Sequence, residues 1–147
     1  MKVIVITGPN LNLLGSREPQ YYGTATLQDC VDLVKKGLPN ATVSDFQSNH
    51  EGSIIDAIHD ARENQDAIII NAGAYSHYSH AIRDALELFD GVKVEVHLSN
   101  PYAREEHRRI SVISPAVDGV IAGFKSDSYS LAALAVKNLL QGRSLKG

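Results

Sequence analysis

A chain of 147 residues has the size of one ordinary domain, long enough to bury well over half of the surface its unfolded form exposes, so one core and no linker are expected. A net charge of -3, with lysines and arginines scattered along the chain, excludes the basic face that nucleic acid needs and points to small molecules as partners. A lone cysteine, Cys30, excludes an intrachain disulfide; no apolar run nears the roughly 20 residues of a membrane span, and the chain opens on a strand with no leader, so a cytoplasmic address is expected.

Residues Lys2 to Thr7 (KVIVIT) form a short apolar run rich in β-branched side chains, the pattern of a strand covered on both faces in a parallel sheet. A polar, glycine-rich stretch from Gly8 to Gly23 (GPNLNLLGSREPQYYG) follows. It exceeds the roughly 12–15 residues beyond which loops tend to be functional, and Leu11, Leu13 and Leu14 give it something to dock, so it reads as a lid. Thr26-x-x-Asp29 resembles a capping box ahead of a helical face of Leu27, Cys30, Val31 and Val34, which Gly37 stops. A strand fits Thr42 to Phe46. Ser53-x-x-Asp56 then opens a helix with Ile54, Ile55, Ile58 and Ala61 inward. Ala67 to Ile70 is a second fully apolar strand, and a helix from about Ser79 turns Ile82, Ala85, Leu86 and Phe89 to one side. Val92, Val94 and Val96 mark a fourth strand and Gly119 to Ala122 a fifth. A closing helix is expected to bury Leu131, Leu134, Ala135 and Leu139.

Alternating strands and helices with right-handed crossovers predict an α/β, doubly wound, five-stranded parallel sheet in a three-layer sandwich. The flavodoxin-like order 2-1-3-4-5 suits the count, and it places ligands beyond the carboxyl ends of strands one and three. The residues leaving strands one, three and four should therefore meet: Thr7 to Asn10, Asn71 with 72–80, and His97 to Asn100. These exits are polar where the strands are apolar, which packing alone does not require.

Each exit carries usable chemistry. Arg17 lies five residues before Tyr22, which adjoins Tyr21; a nearby guanidinium favours the ionised form of a phenol, although the same residues also make an ordinary surface pair. Glu95 and His97 share one strand face, so the carboxylate can fix the imidazole tautomer and hold its proton for donation, or the histidine can simply cap the strand. Leu98 and Ser99 offer backbone and hydroxyl donors to a carboxylate. Asn71 and His77 can meet hydroxyls or serve as turn formers. Arg104, Arg108 and Arg109, with Glu105 and Glu106, suit a solvated face, anion recognition or a subunit interface. His77 and His80 lack the carboxylate partners of a metal site, so no metal is expected. No G-x-G-x-x-G or P-loop motif follows the first strand. A phosphate-binding module would need a short Ser, Thr and Gly-rich first loop, and a receiver domain an acidic cluster there; this chain has neither.

Taken together, GPNLNLLGSREPQYYG, QSNHEG, NAGAYSH, IRDAL, EVHLSNPYAREE and DGVIAG resemble the type II 3-dehydroquinate dehydratases along essentially the whole chain. The resemblance implies elimination of water from 3-dehydroquinate to give 3-dehydroshikimate through an enolate, with no metal, no cofactor and no Schiff-base lysine. It also implies a homododecamer of trimers. By position it makes Tyr22 the base, Arg17 the lid arginine, Asn10 the holder of the oxyanion water, His97 the acid and Glu95 its support. Asn71, His77, Leu98, Ser99 and Arg108 would hold substrate, with Asp84 reaching in from a neighbouring subunit. The chain departs from the family pattern over His107 to Val112, where Arg108 still aligns, and in the 125–129 turn.

Overall fold

A computed structural model describes residues 1–146. Five parallel strands, β1 (Lys2–Thr7), β2 (Thr42–Gln47), β3 (Ala67–Asn71), β4 (Val92–His97) and β5 (Gly119–Ala122), form one sheet in the order β2-β1-β3-β4-β5. This is the expected flavodoxin-like order. Between them run α1 (Pro19–Tyr22), α2 (Leu27–Gly37), α3 (Glu51–Asn64), α4 (His80–Glu87) and α5 (Asp127–Lys146). The apolar strands put alternate residues into two cores. Val3, Val5, Ile69 and Val94 meet α2 and α5 on one face, while Ile6, Ile68 and Ile70 meet α3 and α4 on the other. All five residues of β3 are buried, which is why that strand reads as unbroken Ile and Ala up to Asn71.

Local signals hold in part. The capping box of α2 forms, with Asp29 N–H donating to Thr26 Oγ1 at 3.1 Å and Thr26 N–H to the Asp29 carboxylate at 2.9 Å. Ser79 caps α4 by accepting the N–H of Ile82 at 3.1 Å, and its own hydroxyl donates to Glu51 at 2.6 Å. That contact bears on a correction. The helix expected to open at Ser53 begins instead at Glu51, with no side-chain cap at His50, and the Ser53-x-x-Asp56 box does not form. The Glu51 carboxylate lies in the first turn, where the helix dipole favours an anion, and is tied to Ser79.

The closing helix is a second correction. Its buried residues are Tyr129, Ala132, Ala133 and Val136, whereas Leu131, Leu134 and Leu139 are exposed. Both sides of α5 are apolar, so side-chain size decides which packs. A Cβ on Gly37 would come within 2.8 Å of Ala133 Cβ, so small residues let α2 and α5 approach closely where leucines could not. Gly37 is therefore present for proximity, and its φ is not in the left-handed region that a glycine stop commonly uses. Cys30, on the same face, is fully buried, and burial pushes its thiol up to about 11.

Candidate active site

Parallel pairing sets Thr7 beside Asn71 and Ile70 beside Glu95, so the three strand exits open at one level. The Gly8 N–H donates to the Asn71 carbonyl at 2.8 Å, continuing the β1–β3 ladder one step into the loops. Above them lies a pocket walled by Asn10, Arg17, Tyr22, Asn71, His77, His97, Leu98, Ser99 and Arg108. Every residue anticipated at the site lines it except Glu95, which stands behind His97, and Asp84, which is exposed on α4 outside the pocket.

The 8–23 segment is pinned by Leu11, Leu14 and Tyr22, all buried, while Leu13 is exposed and docks nothing. Near its end lies α1, started by Pro19 and closed by Gly23 at φ 74°. The turn separates the adjacent tyrosines: Tyr22 is 6% exposed and Tyr21 36%. Arg17 Nη2 donates to the Tyr22 hydroxyl at 2.9 Å, and its guanidinium carbon sits 3.9 Å from the ring centroid. A second guanidinium, that of Arg104, stands 5.1 Å from the same ring and 4.4 Å over Tyr21. Both distances lie within cation–π range. Asn10 takes a left-handed φ of 70°, a conformation asparagine tolerates, with its N–H bound to Asn49 Oδ1 at 3.0 Å.

Arg104 was read from the sequence only as part of a charge-dense segment and was given no place at the site. It lines the pocket, its side chain is only 7% exposed, Nη1 donates to Ser99 Oγ at 3.2 Å, and buried Nε makes no hydrogen bond among the described residues, with Glu105 Oε2 3.8 Å away. The charge-dense segment thus divides: Arg104 is turned into the pocket while Glu105 is exposed and carries Arg108, whose Nε donates to it at 2.8 Å. Its position at the exit of β4, the same region that supplies Ser99, was the available signal.

On β4, Glu95 is fully buried. It accepts a hydrogen bond from His97 Nε2, another from Ser111 Oγ at 2.8 Å and a third from Ser114 Oγ at 2.6 Å. Burial alone would raise its carboxyl, but the bonds from His97, Ser114 and Ser111 outweigh that and hold it below the ordinary carboxylate range. His77 is set differently. Its Nδ1 donates to the Ile110 carbonyl at 2.8 Å, and burial, aided by the charges of His97, Arg108 and His107, lowers its affinity for a proton despite that bond. His77 is therefore neutral near pH 7, with Nε2 available as an acceptor.

Asn71, buried at the β3 exit, donates through Nδ2 to Tyr129 Oη at 3.3 Å and accepts the Gly73 N–H at 3.2 Å, so its amide is oriented before any ligand arrives. Gly73 adopts φ 61°, and a Cβ there would press on the Pro9 carbonyl at 3.1 Å. Its glycine is needed where the first and third loops meet. Among the described residues no group of three His, Cys, Asp or Glu could hold a metal ion. No helix among them is long and apolar enough to cross a membrane.

The family model for class II dehydroquinase matches residues 1–137. The chain belongs to that family. A 3-dehydroquinate dehydratase of Caldicellulosiruptor saccharolyticus is 51% identical over 142 residues, covering 95% of this chain and 98% of the relative. One from Thermotoga maritima is 48% identical over 143 residues, covering 96% and 98%. The crystal structure of a type II dehydroquinase from Butyrivibrio crossotus superposes with a TM-score of 0.89 at 46% identity, covering 93% of this chain and 97% of that one. As a class II dehydroquinase the protein is a hydro-lyase. Where it departs from the family's usual residues, His107 packs edge-on to His77 with ring centroids 5.9 Å apart, and the Val112 N–H donates to the Ser76 carbonyl at 2.8 Å.

Proposed function

We propose that this class II dehydroquinase converts 3-dehydroquinate to 3-dehydroshikimate through an enolate, with Tyr22 as base and His97 as acid. The observation that carries this reading is the Arg17 to Tyr22 hydroxyl bond on one wall of a pocket that His97 shares. A proton beside a ketone is weakly acidic, so its removal needs a strong, positioned base and a home for the charge that forms. The Tyr22 phenolate, faced by the guanidiniums of Arg17 and Arg104, takes that proton, and the bonding pair moves to the ketone oxygen. Asn10, through a water it holds, stabilises the enolate oxygen. The enolate then collapses and expels the tertiary hydroxyl, which leaves as water with a proton from His97. Glu95 keeps that imidazole oriented and charged.

Asn71, His77, Leu98, Ser99 and Arg108 hold the substrate's hydroxyls and carboxylate. Neutral His77 accepts a hydroxyl proton at Nε2. Asp84 completes the site from a neighbouring subunit of a dodecamer built from trimers. The whole chain acts as one catalytic domain in the cytoplasm, with 8–23 as its lid, and needs no metal or other cofactor.

Mixing the pure protein with 3-dehydroquinate near neutral pH tests the reading through the absorbance of the conjugated enone product. Growth of that band, unchanged by chelators and by borohydride, is expected. No band would remove the function, and loss of activity to either reagent would indicate a metal or an imine route.

A further inference from the structure

We propose that Ser111 and Ser114 are positioning residues of the acid half of the site, holding Glu95 as an anion so that the proton of the Glu95–His97 pair stays on His97. The proposal rests on His97 being the acid.

An ionised carboxylate can only accept, so both serine hydroxyls donate to it: Ser114 to Oε1 at 2.6 Å, Ser111 to Oε2 at 2.8 Å, with His97 Nε2 also on Oε2. Ser111 Oγ in turn accepts the Ser114 N–H at 3.2 Å, which occupies its acceptor side and leaves its proton for Glu95. The segment bearing both serines is anchored. Ile113 is fully buried in the core, and the Val112 N–H bonds to the Ser76 carbonyl. Ile110, just before it, supplies the carbonyl that fixes His77. One stretch of five residues therefore braces both pocket histidines, with opposite outcomes: His77 bonds a neutral carbonyl and stays neutral, while His97 faces a charge.

A buried carboxylate short of donors takes up a proton. Without the serines, the proton between His97 and Glu95 moves to Oε2 and leaves a neutral imidazole, a far weaker acid, toward the substrate. The pair also binds its proton more tightly. His77 and Arg108 line the same pocket as His97, and neither bonds to Glu95.

Ser111→Ala and Ser114→Ala should each lower kcat on the order of tenfold, less than the roughly 10²–10⁴ that loss of a general acid costs. KM should stay within about twofold, because neither serine lines the pocket that Tyr22 and Asn10 wall; both face a second cavity on the other side of His97, shared with Glu95, Tyr102 and Arg109. The basic limb of the pH profile should move to higher pH. Ser→Thr at either site, which keeps the hydroxyl, should restore both readouts. In a Glu95→Gln background the alanine substitutions should add nothing, since the acceptor charge is gone. The ring nitrogen shifts of His97 in resting enzyme read the bracing without turnover. Unchanged shifts in the double alanine variant overturn the proposal whether or not kcat falls. Changed shifts with undiminished kcat support the bracing and overturn His97 as the acid instead. Should the double variant fail to fold, each single variant against its threonine control carries the same comparison.

Discussion

The phenol of Tyr22 and the imidazole of His97 face one pocket but are held by unlike means. Tyr22 sits on a four-residue helical turn in a loop, and its neighbours are guanidiniums on long side chains, one from the same loop and one from the exit of β4. His97 ends a central strand and leans on a carboxylate with no exposure, itself fixed by two short side chains. The difference follows from what each group must do. Stabilising a phenolate asks for positive charge nearby, which tolerates angular play. Delivering a proton from a chosen nitrogen asks for a fixed tautomer, and that calls for short, buried, directional bonds.

Removing the hydroxyl itself is the severest test of the loop half. Tyr22→Phe keeps the buried ring and its stacked guanidinium, so the fold and KM should change little while kcat falls by about 10²–10⁴ or more in the enone assay. Next comes the charge around it. Arg17→Ala should lower kcat by roughly 10²-fold, because the hydrogen bond and positive charge that face the Tyr22 oxygen are lost. Arg104→Ala should act in the same direction by less, its guanidinium lying 5.1 Å rather than 3.9 Å from the ring. Wild-type kcat in both variants would mean that the loop half does not work through charge.

The strand half predicts a pH response of stability. Glu95 has a folded proton affinity below its ordinary value of 4.5, so its contribution is complete above that pH and is lost as pH falls toward the lower folded value. His77 is likewise depressed below 6.5, so acid favours the unfolded chain once pH drops under that value. Denaturant midpoints should therefore decline first below about 6.5 and more steeply below about 4.5, with Glu95→Gln flattening the second fall. KM should hold steady down through pH 6.5 while His77 stays neutral. The smallest change is expected from Tyr21→Phe, which keeps the ring that Arg104 and Tyr22 touch and should leave kcat within about twofold.

Apolar runs such as Ala67–Ile70 declare themselves because a strand covered on both faces has no polar side to confuse the pattern. The sheet order followed from the alternation of such runs with helical faces. On α5 the same signal misleads: both sides are apolar, and only the fit of Ala132 and Ala133 against α2 decides which is buried. At the site, residues next to strand ends were readable because the topology brings those ends together. Arg104 was concealed among charges that elsewhere in its own segment are solvated. Ser111 and Ser114 lie 16 and 19 residues from the carboxylate they serve, and a hydroxyl carries no mark of its partner at that separation. A buried Glu95 requires donors, but chain order does not say which of the serines supply them.

Cys30 offers a practical return from its place on the buried face of α2. As the chain's sole thiol, fully enclosed and with its ionisation pushed up to about 11, it is closed to alkylating reagents while the subunit is intact. The speed at which a maleimide or dithiobis reagent labels it is then a clock for native-state opening, readable without an introduced probe.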